Sequence, residues 1–176
     1  MRITRVTAVA VVLAFATGIG ALASQNKRLS PHETVNAAVD GAKISVTYGR
    51  PYLKGRKLGA QLAPYGQWWR TGADEATTLV TDKGLMFGGT HVEPGTYTLY
   101  TLPGEKSWQL IINKQTGQWG TEYDQKQDLA RIPMAVSKTS APVEQFTIEI
   151  ADTPAGGDLR LSWENTQATA AFTVMK

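Results

Sequence analysis

Cysteine is absent from the 176 residues, which excludes thiol catalysis, thiolate metal sites, redox sensing and disulfide bracing. Histidine is nearly absent as well. His32 and His91 are the only two and fall on different segments, so a zinc or iron centre would have to be completed by carboxylates; no metal site and no cofactor are expected. A G-x-S-x-G turn that would mark a nucleophilic serine is missing, and "GGTHVEPG" and "PAGGD" read as turns rather than phosphate-cradling loops. Charge of one sign is scarce: 18 Lys and Arg stand against 15 Asp and Glu, with no basic block. That balance gives no footprint for nucleic acid or an anionic membrane surface.

Long apolar runs are missing too, with one exception at the start. Arg2 and Arg5 precede an apolar stretch from Val6 to Ala16 that is too short to span a bilayer, and "ALAS" then supplies small residues at Ala21 and Ala23. This pattern predicts a secretory signal peptide over residues 1–23, with an uncleaved N-terminal anchor as the alternative. No cysteine follows the cut, so a bacterial lipid anchor is excluded. The mature chain would be residues 24–176, periplasmic or secreted and without a membrane anchor. Discounting Arg2 and Arg5 lowers the basic count from 18 to 16 and the net charge from +3 to +1. A chain of this length buries roughly 70% of its unfolded surface and needs no disulfide to fold as one domain.

What the mature chain does have is period-two alternation, and no long helical periodicity. "AKISVTYG" alternates Ile44, Val46 and Tyr48 against Lys43, Ser45 and Thr47, and Asp40-Gly41 joins it to "TVNAAV" as a tight hairpin turn. Further strands are predicted at "TTLVTDK", "LMFGGTHV", "TYTLYTLP", "SWQLIINK", "LARIPMAV", "VEQFTIEI", "DLRLSWEN" and "ATAAFTVM", separated by turns such as "EPGT", "PGEK" and "TPAGGD". About ten short strands predict an all-β antiparallel β-sandwich, with a closed β-barrel as the competitor. The inward faces would supply Ile44, Val46, Tyr97, Leu99, Trp108, Leu110 and Ile112 from the first half of the chain. Phe146, Ile148, Ile150, Leu159, Leu161 and Trp163 would come from the second half.

Two stretches break this rhythm, and binding groups concentrate on loops held by a rigid scaffold. The first runs from Gly49 to about Ala76 and carries "RPYLKGRKLGAQLAPYGQWWRTGADEA", with a short helix predicted from Lys57 to Ala63. The second, residues 113–131, is "NKQTGQWGTEYDQKQDLAR". Arg70 beside two indoles has two readings: a planar fork for an anion, or a structural partner of Asp74 or Glu75 that pins the loop. Arg50, Lys54 and Arg56 add cations near the start of the first loop and read either as a solvated rim or as part of an anion pocket. Asp74 and Glu75 are adjacent and should diverge, so an acid/base pair would need a second carboxyl from elsewhere.

The segments "YGRPYLKGR", "PYGQWWRTGADEATT", "PGTYTLYTLP", "IINK", "QWG" and "YD", in this order over about residues 30–175, resemble the bacterial domain-of-unknown-function family 2911, a group of exported proteins. The resemblance implies export and a β-rich fold, and brings no activity, substrate or cofactor with it.

From the residues, the expected role is non-catalytic binding of a polar or anionic small molecule or a glycan. Arg50, Trp69, Arg70 and Glu75 would act from the first loop, and Asn113, Lys114, Trp119 and Asp124 from the second. The cations would hold an acidic or hydroxylated group, Trp69 and Trp119 would stack on it, and Glu75 would orient Arg70. An envelope hydrolase using loop carboxylates and a structural or protein-interaction module are the alternatives. Catalytic residues and oligomeric state are not specified by this sequence.

Overall fold

The computed structural model describes residues 28–176; the expected signal peptide lies outside the described residues. Nine strands follow one another: β1 (His32–Val39), β2 (Ala42–Gly49), β3 (Thr78–Thr81), β4 (Leu85–Phe87), β5 (Thr90–Val92), β6 (Gly95–Leu102), β7 (Trp108–Asn113), β8 (Asp128–Thr153) and β9 (Gly156–Val174). They form one continuous antiparallel sheet in the order β1-β2-β3-β6-β7-β8-β9-β4-β5. The end strands β1 and β5 do not pair with each other, so the sheet is not closed into a barrel. It folds over instead, bringing β1 and β2 face to face with the β8–β9 hairpin. Tyr48 on β2 meets Phe146 on β8 edge-on at 5.7 Å, and its hydroxyl accepts from the Ile148 amide at 2.8 Å.

The β1–β2 hairpin closes at Asp40-Gly41 with φ of 48° and 75°, the positive pair that such a turn requires. Every residue assigned to the core by alternation is buried, from Ile44 and Val46 to Leu161 and Trp163. Burying each large apolar side chain is worth about 1.5–3 kcal/mol, which is how a cysteine-free domain holds together.

Two expectations need correction. Nine strands replace ten, because "LARIPMAV" and "VEQFTIEI" are one strand, as are "DLRLSWEN" and "ATAAFTVM", while "LMFGGTHV" splits into β4 and β5 around Gly88 and Gly89. No turn interrupts the long pair despite Ser140, Pro142 and Asn165, and its irregularities are absorbed as register shifts around Val143 with Glu164 at positive φ. The predicted helix from Lys57 to Ala63 does not form: the segment is a series of turns with a bridge from Leu58 to Leu62. The helical element among the described residues is a short 3-10 turn, Gln125–Gln127, and no helix there is long and apolar enough to cross a membrane.

Strands β6 and β7 are buried on both faces, since Thr98, Tyr100 and Ile111 are as inaccessible as Leu99 and Ile112. The two long loops cover the outer face. That covering brings them together.

Candidate functional site

The first loop leaves β2 along β8. Phe146 N donates to Pro51 O and Leu53 N to Glu144 O, both at 2.9 Å. It then turns through Lys54 and Gly55, both at positive φ, and is caught by Glu164. Glu164 sits in β9 with φ of 52°, and its carboxylate accepts from Lys57 Nζ at 2.9 Å and from Leu58 N at 3.1 Å. The Lys57 hydrogen bond holds the Glu164 carboxyl below the ordinary carboxylate range. Further on, Trp69 N donates to Thr101 O at 2.7 Å and Thr101 N returns a bond to Trp69 O at 2.9 Å, so the loop continues the β-pairing beside β6.

Its last turn is seated by glycines. A Cβ on Gly49 would lie 2.2 Å from the Ala73 carbonyl oxygen, and one on Gly72 would lie 2.8 Å from Thr77 Oγ1. The second loop closes over this turn. Glu75 bridges Trp119, Ala76 N donates to Gln118 O at 3.2 Å, and Gly120 N donates to Asp74 O at 2.9 Å. Gly120 is also the platform for the Arg70 stem, because a Cβ there would meet Arg70 Cδ at 2.8 Å. The two irregular segments therefore meet at one rim.

Asp74 stands at φ 64° and is buried. Its Oδ2 accepts the amides of Leu29 at 3.1 Å and Ser30 at 3.0 Å, with His32 Nε2 at 3.4 Å. Glu75 Oε1 accepts from Arg28 Nε at 2.6 Å, and its other oxygen lies 3.3 Å from His32 Nε2. Partial burial opposes ionisation of Glu75, but the Arg28 hydrogen bond, a backbone amide and the charges of His32 and Arg28 outweigh it and hold the carboxyl below its ordinary range. The expectation that these adjacent carboxyls diverge is thus corrected: the left-handed turn at Asp74 directs both toward His32. Together they strap residues 28–32 across the end of the first loop.

Both acids are consequently taken, and neither pairs with Arg70. Arg70 makes no ion pair or side-chain hydrogen bond among the described residues, and residues 1–27 contain no Asp or Glu. The reading of Arg70 as the partner of Asp74 or Glu75 is therefore replaced. Arg70 lines a cleft of about 390 Å³. Beside it on the walls stand Lys54, whose ammonium has no ion-pair partner among the described residues, and Arg56, fixed by bonds to Leu53 O at 3.0 Å and Tyr52 O at 2.8 Å. Leu62, Trp69, Ala73 and Trp163 provide apolar wall, and Tyr52 and Leu29 stand exposed at the mouth.

Arg50 lies elsewhere in its bonding. It is spent on Glu33 at 2.6 Å, on Phe146 O at 3.1 Å and on Thr147 Oγ1 at 2.9 Å, tying β1, β2 and β8 together. Trp69 plugs the core, stacked on Trp163 at 5.5 Å and edge-on to Phe146 at 4.9 Å. Trp119 sits half-buried at the loop junction. In the second loop, Asn113 is fully buried and its amide donates to Asp124 O and Asp128 Oδ1, both at 2.9 Å. Asp124 caps the 3-10 turn by accepting from Lys126 N, and Lys114 is exposed. Sequence reasoning did not place Ser30, Leu29, Tyr52 or Trp163 at this cleft. Cation spacing at Lys54 and Arg56 was the available signal for the first wall; residues 28–30 carry none.

Tyr123 closes the second loop onto β8, donating to Asp128 Oδ2 at 2.7 Å while its ring lies 4.7 Å from Tyr100 and 4.9 Å from Trp68. Burial, and then the Asp128 hydrogen bond and charge, push its phenol up to about 12. A phenol whose pKa is raised on folding stabilises the fold below the unfolded value near 10 and loses that contribution as pH rises through its folded value. Ultraviolet titration should show late phenols, since burial also raises Tyr48, Tyr97 and Tyr100, with the component near 12 absent from Tyr123→Phe. Loosening of residues 113–128 should accompany it, and a Tyr123→Phe titration with the same late component as the native chain would contradict the Asp128 contact.

The fold and this rim define an all-β sandwich in which the first long loop, with residues 29–30 and Trp163, lines a cleft carrying cations. The second loop packs behind it against Asp74, Glu75 and the Arg70 stem and supplies none of its walls. The chain belongs to the family described as "Protein of unknown function (DUF2911)", whose model matches residues 30–172, from Ser30 on the strap almost to the end of β9. No match is found among curated proteins or solved structures.

Proposed function

We propose that this chain is an exported binding module and that the cleft at Arg70 holds an anionic small molecule. One observation carries the reading: a guanidinium lines a concave site while both neighbouring acids are occupied by Arg28, His32 and backbone amides. Arginine presents a rigid fork of donors that matches carboxylate, sulfonate or phosphate geometry, and Lys54 adds a second uncommitted charge. Export rests on the N-terminal pattern of Arg2, Arg5 and "ALAS". The hydrolase alternative is weaker, because neither Asp74 nor Glu75 is left as an uncommitted acid or base.

Titration with acetate and with inorganic phosphate, followed through the amide resonances of Gly72 and Ala73, tests it. Saturable shifts are expected in the native chain and their loss in Arg70→Ala. That variant should lose less than about 1 kcal/mol of stability, since only the arginine stem packs, against Gly120. Shifts that do not saturate, or that survive the substitution, would remove the proposal.

A further inference from the structure

We infer that the ligand of this cleft is an amphipathic anion, an acidic head joined to a short apolar or aromatic body, rather than a neutral sugar; the inference rests on the anion-binding reading above. The first support is the sense of the walls' polar groups. Arg70, Lys54 and Arg56 are donors only, whereas the single carboxylate on the walls, Asp74, is already committed at Oδ2 to two amides and His32. Side-chain acceptors on the walls are thereby reduced to Asp74 Oδ1 and the hydroxyls of Ser30 and Tyr52. Every sugar hydroxyl brings a proton that needs an acceptor, and a ring carrying several would find too few here. An acidic head accepts at each oxygen and answers the excess of donors.

The second support is the apolar part of the same cleft. Leu62, Trp69, Ala73 and Trp163 make a wall without free polar groups on their side chains apart from the indole N–H, and the Trp163 N–H is already given to Glu144 O at 3.3 Å. Half-exposed Tyr52 extends this wall to the mouth. A small inorganic anion would leave it wetted, whereas an aromatic or short acyl body covers it and gains several-fold in affinity for each methylene buried.

Four probes separate the possibilities on the full mature chain: phenylbutyrate, phenylbutylphosphonate, phenylbutanol and N-acetylglucosamine, with acetate and methylphosphonate as heads lacking a body. Tryptophan fluorescence and amide shifts at Gly72 and Ala73 report binding. Phenylbutyrate or phenylbutylphosphonate should bind at least roughly tenfold more tightly than phenylbutanol and than the bare head; which of the two binds better identifies the head as carboxylate or phosphate-like. Arg70→Ala should erase the advantage over phenylbutanol. Tyr52→Ala, at an exposed side chain outside the core, should weaken the phenyl probes several-fold and leave acetate unchanged. Equal binding of N-acetylglucosamine or phenylbutanol overturns the amphipathic anion but leaves the cleft as a binding site, as does equal binding of acetate or methylphosphonate and its phenyl counterpart. Failure of every probe to saturate, or indifference of all of them to Arg70→Ala, overturns the binding reading itself.

Discussion

Gly49→Ala is expected to destabilise the domain by about 3 kcal/mol, at the upper end of what overpacking costs. The added methyl would stand 2.2 Å from the Ala73 carbonyl oxygen and 2.9 Å from its carbon, so backbone rather than a flexible side chain has to move. Gly49 itself is not in the left-handed region, so the whole effect comes from this contact. Lifting Ala73 also lifts Asp74, and with it the amides of Leu29 and Ser30 and the bond from Gly120. The loss should appear in denaturant unfolding, together with release of residues 28–30 to solvent. Gly55→Ala is the control: a Cβ there meets nothing within 4 Å, and only its φ of 75° is penalised, at about 1–2 kcal/mol. Equal stability losses for the two variants would show that the close seat of Ala73 on β2 is not what holds the rim.

The parts of the fold that were legible in the sequence are those decided by neighbours along the chain. Alternation at Ile44, Val46 and Tyr48 and the Asp40-Gly41 turn specify the first hairpin without reference to anything distant, and its register bears this out. The segment from Lys57 to Ala63 shows the limit. Its spacing suits a helix, but seven residues are too few to be helical unaided, and the chain instead turns through positive φ at Gly59 and Ala63, with Gly59 N donating forward to Leu62 O at 2.8 Å.

The candidate site divides in the same way. "WWRTGADEATT" displays its chemistry openly, and that loop does form part of a cleft. Which acid meets which base was not legible, because Asp74 and Glu75 find their partners at residues 28–32, some forty positions upstream, and so leave Arg70 unclaimed. Asn113 and Asp124 look the same in sequence whether they bind a ligand or fold a loop. Only burial separates the two, and the structure uses the Asn113 amide inside its own loop.

Trp69→Ala should be as damaging as Arg70→Ala is mild, although the two residues are adjacent. The Trp69 indole lies against Trp163 at 5.5 Å with planes 18° apart, edge-on to Phe146 at 4.9 Å and to Trp108 at 6.5 Å. Removing a large aromatic from such a cluster costs about 3–5 kcal/mol, because the transfer energy is lost and the cavity cannot collapse onto rigid strands. Trp69→Phe, which refills part of the space, should recover about half of it. The backbone pairing with Thr101 survives both changes, so the loss measures the ring alone. Denaturant midpoints for the three variants decide the point. A wide separation between Trp69→Ala and Arg70→Ala means that one residue of the pair anchors the loop and leaves its neighbour's charge free to act. Similar values would mean that Arg70 is held by contacts comparable to those of the indole, and the argument from an uncommitted guanidinium would fail with them.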